Sequence, residues 1–352
     1  MTRNKPVMRF TCPMPQTDFD TITIGHGSGG KLTRRLLDTM VFPLLNNEWL
    51  AGQGDGAVLD LHGRMAVSTD SFVVSPVFFP GGDIGDLAIN GTVNDLAMCG
   101  AQPDFISLSF ILEEGLPITE FWEILLSIRN ACDAAGVRVI TGDTKVVERG
   151  KGDKIFINTT GIGRVHHGAK LGEAMVRPGD KVIVSGPLAR HGIAIMSIRK
   201  GLEFETQILS DTRPLHEICR SLLYGYGAGI RMFRDPTRGG VATVLHEIAD
   251  KARLGIDLNE KHIPVEDEVA GACEMLGLDP MYVANEGLFI AIVDGGLADD
   301  ILAELHRWEH GDGAAIIGTV TENHPGTVIL NSAIGGKRVL PLITGEQLPR
   351  IC

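Results

Sequence analysis

TEFWEILLSIRNACDAAGVRVITGDTKVV, residues 119–147, holds the pattern that decides the fold. Phe121, Ile124, Leu125, Ile128, Cys132 and Ala135 recur at helical spacing, which puts them on one face of a helix running from Thr119 to Ala135. Thr119 is a candidate N-cap, Glu120 and Glu123 suit the positive end of the helix dipole, and Gly136 can stop the helix. VRVI then reads as a strand that runs into the polar stretch TGDT. A helix feeding a strand with a polar end is the unit of α/β architecture, and ligands collect at such strand ends.

The same alternation extends in both directions. Upstream, TITIGHGSGG (21–30) is a short β-like run ending in a glycine-rich loop, followed by a helical pattern through Leu32, Leu36 and Met40. Residues 56–71 read as strands, with MAVSTD ending on Thr69 and Asp70, and a helix is predicted from about Gly82 to Gly100. Downstream, IFINTTGIG alternates as a strand before HHGAKLGEAMVRPGD interrupts the pattern. The second half restarts with KVIVSG. It continues with helices near 191–201, 213–225, 240–253 and 298–309, and with the strands LFIAIV and AAIIGTV. The expected fold class is α/β (α+β) in two domains: a loose extension over 1–20, an N-terminal domain over 21–168, a C-terminal α/β domain over 169–340, and a tail over 341–352. That tail, within LPLITGEQLPRIC, has no helical face and carries Gly345 and Pro349, so it reads as mobile.

Composition narrows the function. A chain of 352 residues exceeds one ordinary core. Hydrophobic residues at 44% and charged residues at 22% suit a globular protein, and 44 glycines favour loops that approach a ligand closely. The net charge of −12, with no run of Lys or Arg, argues against nucleic acid and against an anionic membrane surface. No apolar run reaches membrane-spanning length and the start lacks a signal peptide, so the cytoplasm is the expected compartment. The six cysteines form no C-x-x-C pair, and Cys352 stands apart as the last residue.

Four acidic residues attract notice. In the helix predicted over 82–100, Asp95 lies within the stripe of Ile84, Ala88, Gly91 and Met98, where a carboxylate is costly unless paired or metal-bound. Asp55 lies in GQGDGAVLD, Asp70 at the end of MAVSTD, and Asp143 in TGDT. Hard oxygen ligands at strand ends suit Mg²⁺ held together with phosphates, although turns and caps also favour aspartate. GHGSGGK (25–31) can form a nest of backbone N–H groups with Lys31 adding charge, but it is not a Walker A loop. DPTRGG (235–240) precedes a helical pattern and is a second candidate anion site, with an ordinary turn as the alternative.

Taken in order, GDGAVL, STDSFVVSPVFFPGGDIG, GTVNDLAMCGA, AGVRVITGDTKVV, DPTRGG, ANEG and the ending PRIC closely resemble the HypE family of hydrogenase maturation proteins. That family is a branch of the superfamily typified by aminoimidazole ribonucleotide synthetase. The resemblance runs from about residue 20 to the end. It implies two α/β domains, with N-terminal sheets that form a barrel across a homodimer and with ATP and Mg²⁺ held nearby. It implies Asp55, Asp70, Asp95 and Asp143 as metal ligands, Asn94 and Thr144 as phosphate-side groups beside Lys31, and Lys145 and Glu286 near the terminal cysteine.

The implied reaction is ATP-dependent dehydration of an S-carbamoyl group on Cys352 to a thiocyanate, a source of cyanide for the iron of [NiFe]-hydrogenase. Glu286 would transfer protons and Lys145 would orient the carbamoyl oxygen. HypF is the implied carbamoyl donor and the HypC–HypD complex the implied acceptor. A non-catalytic carrier whose tail binds partners is one alternative. Selenophosphate synthetase is another, but it uses a reactive cysteine or selenocysteine in the glycine loop, and GHGSGGK has none.

Overall fold

The computed structural model describes residues 12–202, 207–342, 348 and 350–352. The first eleven positions of the predicted extension, and half of the predicted tail (343–347 and 349), lie outside the described residues.

The first half builds α1 (Lys31–Leu36), α2 (Phe42–Leu45), β1 (Met65–Phe72), a short ladder of β2 (Phe78–Phe79) with β3 (Gly82–Asp83), α3 (Ile84–Met98), β4 (Ala101–Glu113), α4 (Ile118–Ala135), β5 (Arg138–Val147) and β6 (Ile155–Val165). The helix read from residues 119–147 is α4. It starts one residue earlier than its pattern suggested, with Pro117 and not Thr119 at the cap position. Gly136 ends it at φ 69°, its N–H turned back to the carbonyls of Cys132 and Asp133. The buried stripe of α4 is the predicted one, Phe121, Ile124, Leu125, Ile128, Cys132 and Ala135, joined by Trp122 and Ala131.

Four strands form the first sheet in the order β1-β6-β4-β5. β6 runs antiparallel to both β1 and β4, and β4 runs parallel to β5. α3 packs along this sheet and against α4. It is buried nearly all round because its other side meets the second half of the chain: Ala97 and Met98 join a core with Leu215, Leu222, Phe233 and Phe289. No closed barrel forms within this single chain. Among the described residues β1 pairs only with β6, and β5 only with β4.

The second half contributes β7 (Lys181–Val184), α5 (Arg190–Lys200), α6 (His216–Tyr226), β8 (Ile230–Arg234), α7 (Gly240–Ala252), β9 (Gly255–Asn259), α8 (Asp267–Leu276), β10 (Ile290–Val293), α9 (Ala298–Leu305), β11 (Ala315–Thr321), β12 (Val328–Asn331) and β13 (Lys337–Val339). Its seven strands lie in the order β13-β12-β9-β11-β7-β10-β8. β7 and β10, both wholly apolar and buried apart from Lys181, run side by side near the middle. α8 escapes the sequence pattern because its buried stripe is short, Val269, Ala272 and Cys273.

The tail that reads as mobile ends seated in the fold. Ile351 is 2% exposed and belongs to the core of the first half, and Cys352 packs against that core.

Candidate active site between the two halves

Two cavities collect several of the residues singled out in the sequence. The first, of about 420 Å³, lies against β5. Gly27 and Gly29 of the glycine loop line it, with Leu37, Val41, Phe42 and Trp49 as an apolar wall and Thr141 to Lys145 at its polar edge. Gly27 allows the contact: a Cβ there would lie 2.5 Å from the Val146 nitrogen, so any side chain would push the loop off the strand. Lys145 Nζ lies 2.7 Å from Asp143 Oδ1, and that hydrogen bond holds the Asp143 carboxyl below its ordinary proton affinity. Lys31 sits exposed at the start of α1 and Asp55 exposed in its loop, and neither lines the cavity.

The second cavity, about 730 Å³, opens between the halves. Asp70 and Asp95 line it from the first half, and Arg234, Asp235 and Arg238 from the second. Ser68 Oγ donates to Asp95 at 2.5 Å, the partner that its position on a buried helix face demanded. Burial raises the proton affinity of Asp95, opposed by Ser68 and reinforced by the charge of Asp70. Burial likewise raises Asp70. Asp235, set against both, is pushed up to about 7, first by burial and then by Asp95. The sequence reading weighed DPTRGG for its glycines and missed this aspartate. Gly240 has a packing role instead, since a Cβ there would lie 2.6 Å from the Met281 carbonyl oxygen.

Glu286 lies within electrostatic reach of Asp70, Asp95 and Asp235. The Asp211 carboxylate accepts from the backbone N–H groups of Glu286 and Gly287 at 3.1 and 3.0 Å, which fixes the loop of the ANEG motif. Asn94 braces it from α3: its side-chain amide donates to the carbonyls of Arg213 (3.0 Å) and Glu286 (3.2 Å), and its oxygen accepts from Leu215 N–H (2.8 Å). Asn94 is 2% exposed. With its donors and acceptor so occupied, it serves as a clasp between the halves and has no group left for a phosphate. The Glu286 carboxyl is 4% exposed, and its Oε1 has no hydrogen-bond partner. Burial, with Asp235 and Asp211 next, raises its proton affinity well above the ordinary value.

Cys352 reaches this site from the chain end. Its thiol is pushed up to about 12, mainly by burial and then by Glu286, while Arg238 pulls the other way. Glu286, Asp70, Asp95 and Cys352 therefore share one neighbourhood. Asp143, Thr144 and Lys145 do not. Asp70 faces Thr159, Thr159 faces Leu108 and Leu108 faces Gly142 in register, so Asp70 and the neighbour of Asp143 are three strand spacings apart, roughly 14 Å. Among the described residues, no group of three or more His, Cys, Asp or Glu side chains converges closely enough to hold a metal ion. The hard carboxylate oxygens of Asp70 and Asp95 fit Mg²⁺ in kind, but one chain does not assemble the expected four-aspartate set.

This two-sheet arrangement with a site between the halves belongs to a recognisable class. The family described as AIR synthase related protein matches with its N-terminal domain over residues 53–165 and its C-terminal domain over 177–331, and the chain belongs to it. Within that class, the carbamoyl dehydratase HypE of Rhizobium leguminosarum bv. viciae is 48% identical over 332 residues, covering 94% of this chain and 95% of the relative. A crystal structure of the hydrogenase maturation protein HypE in complex with ATP matches with a TM-score of 0.91 at 44% identity, covering 94% of this chain and 99% of that one. A crystal structure of a HypE–HypF complex matches at 0.77 with 41% identity, covering 89% and 100%. The chain is a member of the HypE family of carbamoyl dehydratases.

Proposed function

We propose that this protein uses ATP to dehydrate a carbamoyl group carried on its own Cys352, leaving a thiocyanate that supplies cyanide for the iron of [NiFe]-hydrogenase. One observation carries the reading: the chain-terminal thiol is seated in the fold within electrostatic reach of a buried carboxyl, Glu286, whose Oε1 has no partner.

The chemistry follows from these parts. HypF, the partner named in the related complex, delivers a carbamoyl group to the Cys352 sulfur. The carbamoyl oxygen is a poor leaving group until it takes the γ-phosphoryl of ATP, releasing ADP and one nitrogen-bound proton. The C–O bond of the resulting S–C(OPO₃)=NH group then breaks, the remaining N–H proton goes to a base, and phosphate leaves S–C≡N behind. Glu286 is that base in its ionised form: burial among other carboxylates makes its carboxylate bind a proton strongly, and Oε1 has no competing partner. The HypC–HypD complex would then take the cyanide in the cytoplasm.

The cleft against β5 suits ATP. Its apolar wall of Phe42, Trp49 and Leu37 fits a base, and its glycine loop and Thr144 fit phosphates. The site is completed, on this reading, by a second copy. Among the described residues, β1 and β5 are the edge strands of the four-stranded sheet, and its outer face exposes Val67 and Ile111. Pairing β1 of one copy with β5 of the other makes an eight-stranded barrel and removes both edges. It also brings Asp143, Thr144 and Lys145 of one copy towards Asp70, Asp95 and Cys352 of the other. Asp70 and Asp95 would hold Mg²⁺ with Asp143, and Asp55 would complete the set. The ion would neutralise the transferring phosphoryl group, and Lys145 would face the carbamoyl oxygen.

The test is the intact mass of the protein after incubation with HypF, carbamoyl phosphate and ATP. A carbamoyl adduct that becomes a cyano adduct on Cys352 supports the reading. An adduct that persists with ATP present, or one on another cysteine, overturns it.

A further inference from the structure

Dehydration needs Cys352 beside Glu286, whereas delivery by a second protein needs it elsewhere, so something must set how long it stays. The end of the chain lies between two supports. On one side is the segment just past β1: Val73 N–H donates to the Cys352 carbonyl at 3.1 Å, Ser75 N–H to the Arg350 carbonyl at 3.3 Å, and Arg350 Nε to the Val73 carbonyl at 3.1 Å. On the other side is α5. Its Arg199 donates to the carbonyls of Ser75 and Arg350, bridging the segment and the tail. Gly192 leaves room for Leu348, whose Cδ1 would lie 3.2 Å from a Cβ at that position.

His191, in the first turn of α5, contacts the residue just before Cys352. It is 0% exposed, and its Nε2 lies 2.8 Å from the Ile351 carbonyl oxygen. Its Nδ1 lies 2.8 Å from Ser210 Oγ, and Phe79 packs edge-on against the ring at 5.5 Å. A carbonyl only accepts, so Nε2 carries the proton in this assignment and Nδ1 accepts from the Ser210 hydroxyl. Ser210 and Phe79 thus fix both the tautomer and the ring plane. The Ile351 carbonyl is one peptide from the reactive residue, and its side chain is anchored in the core. Without His191 that carbonyl would be left unpaired in a buried place, which favours release of the tail.

We infer that His191, oriented by Ser210, is a positioning residue that latches the Ile351 carbonyl and so sets how long Cys352 dwells beside Glu286. It never touches the carbamoyl group. The inference rests on Cys352 being the carrier, but its first test does not need the reaction.

Cys352 in the full chain is labelled with iodoacetamide, without donor or ATP, and followed by peptide-resolved mass spectrometry, with exposed Cys99 and buried Cys132 as internal references. His191→Ala should speed Cys352 labelling roughly tenfold, the scale of one lost buried hydrogen bond, and leave both references unchanged. His191→Gln, which keeps an amide donor, should recover part of the protection. Ser210→Ala should loosen the tail less, and it stands in should His191→Ala fail to fold. With HypF and ATP, His191→Ala should receive carbamoyl at least as fast as the parent and convert it to cyano more slowly. Unchanged Cys352 labelling in folded variants overturns the latch, and so does an equal rise at Cys132, which marks general loosening. If labelling responds as expected but no cyano group forms even in the parent, the latch stands and the proposed reaction falls.

Discussion

The carboxyl of Glu286 is, after burial itself, the strongest influence holding the proton on the Cys352 thiol. The thiol is therefore neutral where it is seated, and its reactivity as a nucleophile belongs to other positions of the chain end. The same carboxyl is a poor neighbour for a thiolate and a good one for a carbamoyl group that must lose protons.

Glu286→Gln should stabilise the protein while disabling it. Burial raises the Glu286 pKa above its unfolded value of 4.5. Between those two pKa values the native state holds a proton that the unfolded state has lost, so stability falls as pH rises through that window. The amide variant has no such loss. Without nucleotide or Mg²⁺, its melting temperature should exceed the parent's by a margin that widens from pH 5 upwards. Dehydration of carbamoylated Cys352 should slow by roughly 10²–10⁴-fold, as for a lost general base. Equal melting temperatures at pH 5 and pH 8 would contradict the burial of a titrating carboxyl, and normal conversion would remove Glu286 from the chemistry.

Cys352→Ala should abolish product and leave the fold intact. Ile351 supplies the buried side chain of the chain end, and it is untouched by this change. Thermal melting should move by no more than about 1 kcal/mol of stability. Carbamoyl or cyano mass on Cys12, Cys99, Cys132, Cys219 or Cys273 would sink the assignment of Cys352 as carrier.

Asp70→Asn should keep the fold and weaken Mg-ATP use on carbamoylated protein. Burial already makes charge at Asp70 costly, so a neutral isostere costs little stability without metal. It does remove a hard anionic oxygen. Asp143→Asn should lower Mg-ATP use in the same assay, although it sits on the far edge of the sheet. Parental hydrolysis by both variants would show that the metal assignment is wrong.

Lys145 and Cys352 should act across two chains. Within one chain the opposite edges of a four-stranded sheet separate them. Mixing Lys145→Ala with Cys352→Ala protein should therefore restore dehydration in the mixed dimer, because one site there has both native residues. Neither variant alone should convert its substrate. No recovery on mixing, with exchange of chains verified by mass, would assign Lys145 a role within its own chain or none.

How much of this was legible in the sequence differs by residue. The α4 stripe and the strand after it could be read because their apolar spacing is local. Asp95 could be suspected because a carboxylate on a buried stripe demands a partner, and Ser68 supplies it. Asn94 misled. It is next to Asp95 in sequence, but successive helical residues point about 100° apart, and its partners Arg213, Leu215 and Glu286 are more than a hundred positions away. The chain end misled in the same way, since PRIC has no pattern of its own and its seat is built from Val73, His191 and Arg199. Asp235 was hidden by its motif, where the glycines draw attention and the aspartate looks like a turn residue. The separation of Asp143 from Asp70 follows from sheet order, which no local pattern encodes.

The central claim is that Cys352 carries a carbamoyl group whose oxygen leaves with phosphate. It is tested most directly by loading Cys352 with carbamoyl labelled in its oxygen by a heavy isotope, adding Mg-ATP, and measuring where the label goes as the cyano form appears. The account predicts one labelled oxygen in each inorganic phosphate released, matched one for one by cyano groups on Cys352. Label recovered in water, or phosphate released without label while the carbamoyl group persists, would contradict it.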